Sequence, residues 1–248
     1  MPTRSKLTSR GRIVLLVTLA LLVGAAVTGV VVVRSVFGDH CRVGASGREI
    51  GLDRDEAERV TAAAAVAARK ETSVTAAVAR TTDLSTKDTA AVVAAVSGRE
   101  HAALTCTRGG AHDAEPDALS DDGLTARAEN VRTDMAGRFG RLPLGGFAPG
   151  GVTTGHMAGS AHYEGRAIDV FFRPISRTNK NDGWALAHYL VANAERLAIS
   201  TVIFDGRIWT SRRGFQGWRE YDIPANGRPA SVVRILEHRD HVHVDVAD

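Results

Sequence analysis

The sequence has few cysteines, and its first 34 residues contain no acidic side chain. Only two cysteines occur among 248 residues, which excludes a disulfide-dense small scaffold and a zinc site built from several cysteines. Hydrophobic residues make up 44% of the chain and charged residues 24%, which excludes a wholly disordered, collagen-like or multi-span membrane protein. The length fits one or two domains.

The net charge of +3 is concentrated at the amino terminus. Residues 1–34 hold five basic side chains and no acidic one, so the rest of the chain carries about two net negative charges. Because this positive charge adjoins an apolar run and does not lie on a folded face, it predicts no nucleic-acid partner.

An uncharged run extends from Ile13 to Val33. At ~1.5 Å per residue a helix of this length crosses a bilayer. The basic side chains before it predict a cytoplasmic basic tail over 1–12, a single-pass anchor of the cytoplasmic membrane over 13–33, and an extracytoplasmic remainder. A cleaved signal peptide is the alternative, although the run exceeds the usual h-region and no clear Ala-x-Ala site follows it.

Residues 39–106 predict a small helical region, because alanine and valine dominate two of its segments and Asp53 is a suitable N-cap. Cys41 and Cys106 bracket this region. In an oxidising environment we expect them to form a disulfide worth ~4 kcal/mol, and two separate buried thiols are the alternative. Residues 107–123 are polar and contain glycine and proline, which predicts a linker.

Residues 124–248 contain the patterns of a mixed domain. A helix is predicted from Asp182, as its N-cap, to Leu197. Asp205-Gly206 between two β-branched runs predicts a hairpin with a type I′ turn. Further strands are predicted over 231–236 and 242–246. The predicted fold class is therefore α+β, an antiparallel sheet with flanking helices, preceded by a small all-α region and one transmembrane helix.

Three side chains of this domain are candidate metal ligands. Asp169 lies on a predicted strand, and His162 lies in the loop before it. In His241-Val242-His243 the two imidazoles lie on the same side of a strand because their spacing is two. One imidazole can bind a metal ion while the other stays beside the coordination position that the protein leaves open. Two imidazoles and one carboxylate suit zinc and leave a fourth position for water.

These residues also carry a family resemblance. The segment Ser160–Asp169, S-A-H-Y-E-G-R-A-I-D, resembles the S-x-H-x-x-G-x-A-x-D motif of zinc D-Ala-D-Ala and L-Ala-D-Glu peptidases. His241-x-His243 resembles the H-x-H of the wider group that includes lysostaphin-type enzymes and hedgehog domains. Similar C-terminal domains occur in actinobacterial secreted or anchored proteins. The resemblance covers residues 124–248 and implies a hedgehog/D-Ala-D-Ala peptidase-like fold.

The resemblance implies roles for five residues, and a sixth is a reserve candidate. It implies zinc held by His162, Asp169 and His243. It implies Asp240 as the general base, with Glu237 as the reserve candidate, and His241 as the group that polarises the carbonyl or stabilises the oxyanion. The pattern is incomplete in one place, since the family's upstream arginine has no counterpart in the stretch 145–149.

The sequence thus predicts a membrane-anchored zinc metallopeptidase, a carboxypeptidase or endopeptidase, that acts on peptidoglycan stem peptides. The main alternative is a non-catalytic, zinc-stabilised binding or scaffold domain of the cell envelope. A second alternative assigns the function to the anchor and the helical region, as an interaction partner. The oligomeric state is unknown from the sequence.

Overall fold

The chain begins its described part with a small antiparallel sheet. The computed structural model describes residues 41–45, 48–99, 103–107, 109–111 and 113–248. The strands β1 (Cys41–Ala45), β2 (Arg48–Leu52) and β3 (Ala103–Cys106) are ordered β2-β1-β3. The region predicted as all-α therefore also contains strands. They are four or five residues long, too short for a clear alternating pattern in the sequence.

Three helices lie between β2 and β3. They are α1 (Arg54–Arg69), α2 (Val74–Ala79) and α3 (Thr86–Val96). The prediction that Asp53 caps the first helix is confirmed, because its side chain accepts a hydrogen bond from the Glu56 amide at 2.6 Å. Small alanine and valine side chains fill the buried faces of these helices, so the helices pack closely.

The prediction of a membrane-spanning helix is contradicted. The segment 13–33 lies outside the described residues. Within the described ranges, no helix is long and apolar enough to cross a membrane. This finding contradicts the transmembrane helix in the predicted fold class and the single-pass localisation that depends on it.

A six-stranded antiparallel sheet forms the larger part of the fold, in agreement with the predicted α+β class. The strand order is β4-β5-β9-β6-β7-β8. The strands are β4 (Leu144–Gly145), β5 (Ala167–Phe171), β6 (Ile199–Phe204), β7 (Arg207–Thr210), β8 (Arg219–Glu220) and β9 (His241–Val246). The last strand in the sequence thus lies in the middle of the sheet, between β5 and β6.

Three helices and two 3₁₀ segments accompany this sheet. The helices are α4 (Ala126–Phe139), α5 (Arg177–Ala192) and α6 (Ala230–Leu236), and the 3₁₀ segments are η1 (Ala161–Glu164) and η2 (Ser211–Gln216). Helix α5 begins earlier than predicted, because Ser176 and not Asp182 accepts the capping hydrogen bond, from Asn179. The predicted strand over 231–236 is wrong, since these residues form α6 after Pro229.

The small sheet and the large sheet share one hydrophobic core. Residues of α1, α3, β3, α5, β6 and β9 belong to the same buried cluster. The predicted disulfide between Cys41 and Cys106 is present. The indole nitrogens of Trp209 and Trp218 donate to the carbonyls of Cys106 (3.1 Å) and Leu104 (2.9 Å), which fastens the large sheet to β3.

Candidate metal centre

The sheet register brings the predicted site residues together. Asp169 on β5 lies opposite His243 on β9, and His241 lies two residues before His243 on the same strand. His162 comes from η1, whose first turn is capped by the Ser160 hydroxyl. All five predicted site residues, including Asp240, are buried. Two neighbouring strands and one short 3₁₀ turn therefore place the cluster.

Three ligand atoms meet at one point. The distance from His162 Nε2 to His243 Nδ1 is 3.1 Å. Asp169 Oδ1 lies 3.3 Å from His162 Nε2 and 3.0 Å from His243 Nδ1. Four ligands at ~2.0–2.1 Å from a tetrahedral zinc ion are about 3.3 Å apart. The three atoms therefore have nearly the spacing of one face of such a tetrahedron.

The remaining nitrogen of each imidazole is held by an acceptor. His162 Nδ1 lies 2.7 Å from the Gly146 carbonyl, and His243 Nε2 lies 2.6 Å from Asp245 Oδ1. His241 Nδ1 lies 2.8 Å from Asp240 Oδ1. Such partners fix the tautomer and the orientation of metal-binding histidines. They direct His162 Nε2 and His243 Nδ1 to the common point, and leave His241 Nε2 3.8 Å from Asp169 Oδ1.

Gly146 is required at this place. Its φ is +83°, and a Cβ there would lie 2.2 Å from His162 Cε1. The absence of a side chain lets the backbone approach the imidazole closely enough for its carbonyl to accept the hydrogen bond. The glycine-rich stretch in which the sequence lacks the family's arginine thus supplies a backbone acceptor to the site.

His156 adds a further imidazole beside His162. The two rings stack with centroids 3.9 Å apart. Among the described residues, His156, His162 and Asp169 form a group that could hold a metal ion, with ligand atoms within 4.8 Å of one another. The Tyr163 hydroxyl donates to the His156 carbonyl at 2.5 Å and fixes this loop. His156 precedes the sequence motif, which starts at Ser160, so the motif spacing does not identify it.

An arginine contacts the site from the chain after β5, and not from the stretch 145–149 before the motif. Arg173 follows β5, and its Nε donates to Asp240 Oδ2 at 2.7 Å while its guanidinium lies 4.2 Å from the centre of the Phe171 ring. Both oxygens of Asp240 are thus engaged, one by Arg173 and one by His241. The reserve base, Glu237, accepts a hydrogen bond from Arg239 at 2.8 Å. The assignment of the base stays a prediction.

Charges in the cluster shift the pKa values of its members. Burial raises the pKa of Asp169, but hydrogen bonds from His162 and His243 outweigh it and hold this pKa far below its usual range. Burial lowers the pKa of His243, but the carboxylates of Asp245 and Asp169 outweigh it and raise the pKa to about 10. A cation at His243 Nδ1 competes with this proton. Burial, with the charges of His243 and His241, lowers the pKa of His238 to about 3.

Comparison with known proteins gives one similarity. Residues 120–230 are similar to the family described as VldE, C-terminal domain. This match includes His162 and Asp169 and ends before β9, so it does not reach His241 or His243. No curated protein and no solved structure matches the chain.

Proposed function

We propose that this protein is a zinc-dependent hydrolase that cleaves an amide bond, with peptidoglycan stem peptides as its substrate class. The observation that carries the proposal is the spacing of His162 Nε2, Asp169 Oδ1 and His243 Nδ1, each within 3.0–3.3 Å of the others. Two nitrogen donors and one oxygen donor suit zinc better than calcium or magnesium, which prefer oxygen ligands. The substrate class rests on the resemblance of the Ser160–Asp169 segment to cell-wall peptidases.

Zinc bound by these three residues would supply a Lewis acid and lower the pKa of a water molecule to ~7. The chain supplies the proton transfer. Asp240 holds the Nδ1 proton of His241, so His241 Nε2 is free to take a proton on the side that faces Asp169. Arg173 keeps the Asp240 carboxylate in place. We therefore add His241 to Asp240 as a candidate base.

The first experiment is metal analysis of the purified protein. We expect about one zinc per chain in the wild type, and loss of zinc in His162→Ala and in His243→Ala. Asp245→Asn, which removes the carboxylate behind His243, should weaken zinc binding ~10–100-fold. The matched control is Asp222→Asn at an exposed carboxylate, and it should bind zinc like the wild type. Well-folded wild-type protein without zinc would contradict the proposal.

Hydrolysis is tested separately with muropeptides. His241→Gln and Asp240→Asn, which keep the size and polarity of the side chains, should abolish turnover and keep zinc and the melting temperature. The second candidate function is a zinc-stabilised binding domain, and it is favoured by the observation that both Asp240 oxygens are already engaged. Zinc binding without turnover in the wild type, together with saturable binding of the same muropeptides, would select this second function.

A further inference from the structure

A second candidate site lies at the opposite end of the large sheet. A cleft of about 830 Å³ opens where β6 begins and where β7 and β9 end. It lies about four residues along β9 from His243, a distance of roughly 13 Å at ~3.3 Å per residue. Pockets for small molecules are typically ~300–1,000 Å³. The cleft therefore has the size of a ligand site and is separate from the candidate metal centre.

The lining of this cleft is strongly basic. It includes Arg166, Arg212, Arg213 and Arg219, against the single acidic residue Asp248. Arg166 is bound to Glu164 and to the Val246 carbonyl. The other three arginines form no ion pair among the described residues. Their positive charge therefore has no carboxylate partner there, although guanidinium groups bind oxyanions strongly.

Arg219 is the best placed of these arginines. Its Nη2 donates to Thr210 Oγ1 at 3.2 Å, which orients the guanidinium. Its Nη1 is buried and has no hydrogen-bond partner in the described part of the chain. An unpartnered buried donor destabilises the fold because it loses its hydrogen bonds to water, and native proteins retain few such donors. A ligand oxygen that accepted from this group would remove this destabilisation.

One glycine helps to place Arg212 and Arg213 at the rim of the cleft. Both belong to η2, which follows β7. Gly214 packs on β3, and a Cβ there would lie 2.3 Å from the Cys106 carbonyl oxygen. Only a residue without a side chain lets η2 lie this close to β3. The two arginines are exposed and are held next to Arg219 in spite of their like charges.

The residues that line the cleft indicate which class of anion it would bind. The described residues that line the cleft include serines, threonines, glycines and alanines, and none of them is aromatic. Nucleic-acid sites without sequence preference use aromatic side chains to stack bases. Guanidinium groups beside hydroxyl groups suit a phosphate with a polar, non-aromatic body. We infer that this cleft binds a phosphate ester of a hydroxyl-rich small molecule.

Titration calorimetry of the metal-loaded protein tests this site, and a repeat in EDTA shows how much of any phosphate binding a metal contributes. The probes are glucose 6-phosphate, inorganic phosphate and glycerophosphoglycerol, with glucose as the neutral control. We expect saturable binding of one phosphate ester per chain, weakened by added salt. Stronger binding of glucose 6-phosphate would identify a soluble monoester as the ligand, and equal binding of the diester would identify a segment of a phosphodiester polymer.

Variants assign the binding to the cleft. The double variant Arg212→Ala/Arg213→Ala should weaken binding at least tenfold. The matched control is Arg228→Ala/Arg234→Ala, which removes the same charge at exposed positions outside the cleft and should bind normally. Arg219→Gln should lose binding without a lower melting temperature, whereas a merely structural arginine would lower it. Equal weakening in both double variants, or no saturable binding of any phosphate probe, would overturn the inference.

Discussion

At the scale of single residues, the role of each buried imidazole follows from the groups around its two nitrogens. His162 and His243 each have one nitrogen fixed by an acceptor and the other at the common point of the candidate metal centre. His188 has a different environment. Its Nδ1 donates to the Ala95 carbonyl at 2.8 Å, and its Nε2 is buried without a partner among the described residues. This residue is therefore neutral in the folded protein.

His188 should make stability depend on pH. Burial lowers its pKa from 6.5 to about 4, against a smaller opposing effect of the Ala95 carbonyl. Because the unfolded chain binds this proton below pH ~6.5 and the folded protein only below about 4, stability is complete above pH 6.5 and falls as the pH drops through this window. At ~1.36 kcal/mol per unit the full loss is about 3 kcal/mol.

Urea titrations at pH 4 to 7 check this expectation by comparing the wild type with His188→Leu. The free energy of unfolding of the variant should lack this part of the pH dependence, so the wild type should lose stability relative to the variant as the pH falls from 6.5 to 4. A difference that stays constant across the window would show that His188 does not titrate as its surroundings indicate.

The sequence could predict those site residues that lie in a motif. Motif spacing and strand periodicity predict His162, Asp169, His241 and His243 as site residues, and the structure places these side chains close together. The sequence does not single out Asp245 or Arg173 and places His156 only near the motif, because the contacts of all three depend on how strands and loops meet in space. Asp245 carries one available signal, since it lies two residues after His243 and so on the same side of the strand.

At the scale of elements, the residues of a tight turn predict the local structure well. The predicted hairpin is confirmed as β6 and β7, with positive φ at both Asp205 (47°) and Gly206 (72°), as a type I′ turn requires. Helix α6 lies where the sequence predicts a strand, because its larger apolar residues form two short pairs, Val232-Val233 and Ile235-Leu236, and a segment this short does not separate helix from strand. It has no buried residue, so no packing pattern was present in its sequence.

Two glycines in helices should respond oppositely to alanine. Gly183 in α5 lies against Phe204 of β6, and a Cβ there would be 2.2 Å from the ring. Gly183→Ala should therefore destabilise the fold by about 1–3 kcal/mol through overpacking. Gly137 in α4 is different, because a Cβ added there would meet no described atom within 4 Å. Gly137→Ala should therefore stabilise the fold by about 0.4–1 kcal/mol.

Thermal melting of the two variants beside the wild type measures both effects. Gly137→Ala serves as the control, because it changes the same residue type in the same kind of element without the ring contact. A melting temperature raised by both substitutions would mean that α5 can move away from Phe204, and that the close approach of helix and sheet is not rigid.

At the scale of the whole molecule, the sequence predicts a helical region, a linker and a separate domain, whereas the core joins both ends of the described chain. Residues 40–248 cluster as one unit. Glu115, in the predicted linker, is buried and accepts from the Arg127 amide at the start of α4. Local composition marks a polar segment but does not reveal what packs on it, so contacts between distant segments were beyond sequence reasoning.

The disulfide and the shared core predict how the whole protein unfolds. The Cys41–Cys106 bond joins β1 to β3 across a separation of 65 residues, so its removal should lower the free energy of unfolding by about 4 kcal/mol, mainly by freeing the unfolded chain. Because Trp209 and Trp218 donate to β3, unfolding of β3 should expose both indoles at once. Urea unfolding followed by tryptophan fluorescence and by far-ultraviolet circular dichroism should therefore give one transition with the same midpoint for both signals. The variant Cys41→Ala/Cys106→Ala should also give a single transition, at a lower urea concentration than the wild type.

Two results would contradict this picture of unfolding. Separate transitions would show that the helical region and the large sheet unfold independently. An unchanged midpoint in the variant would show that the bond does not limit the unfolded chain.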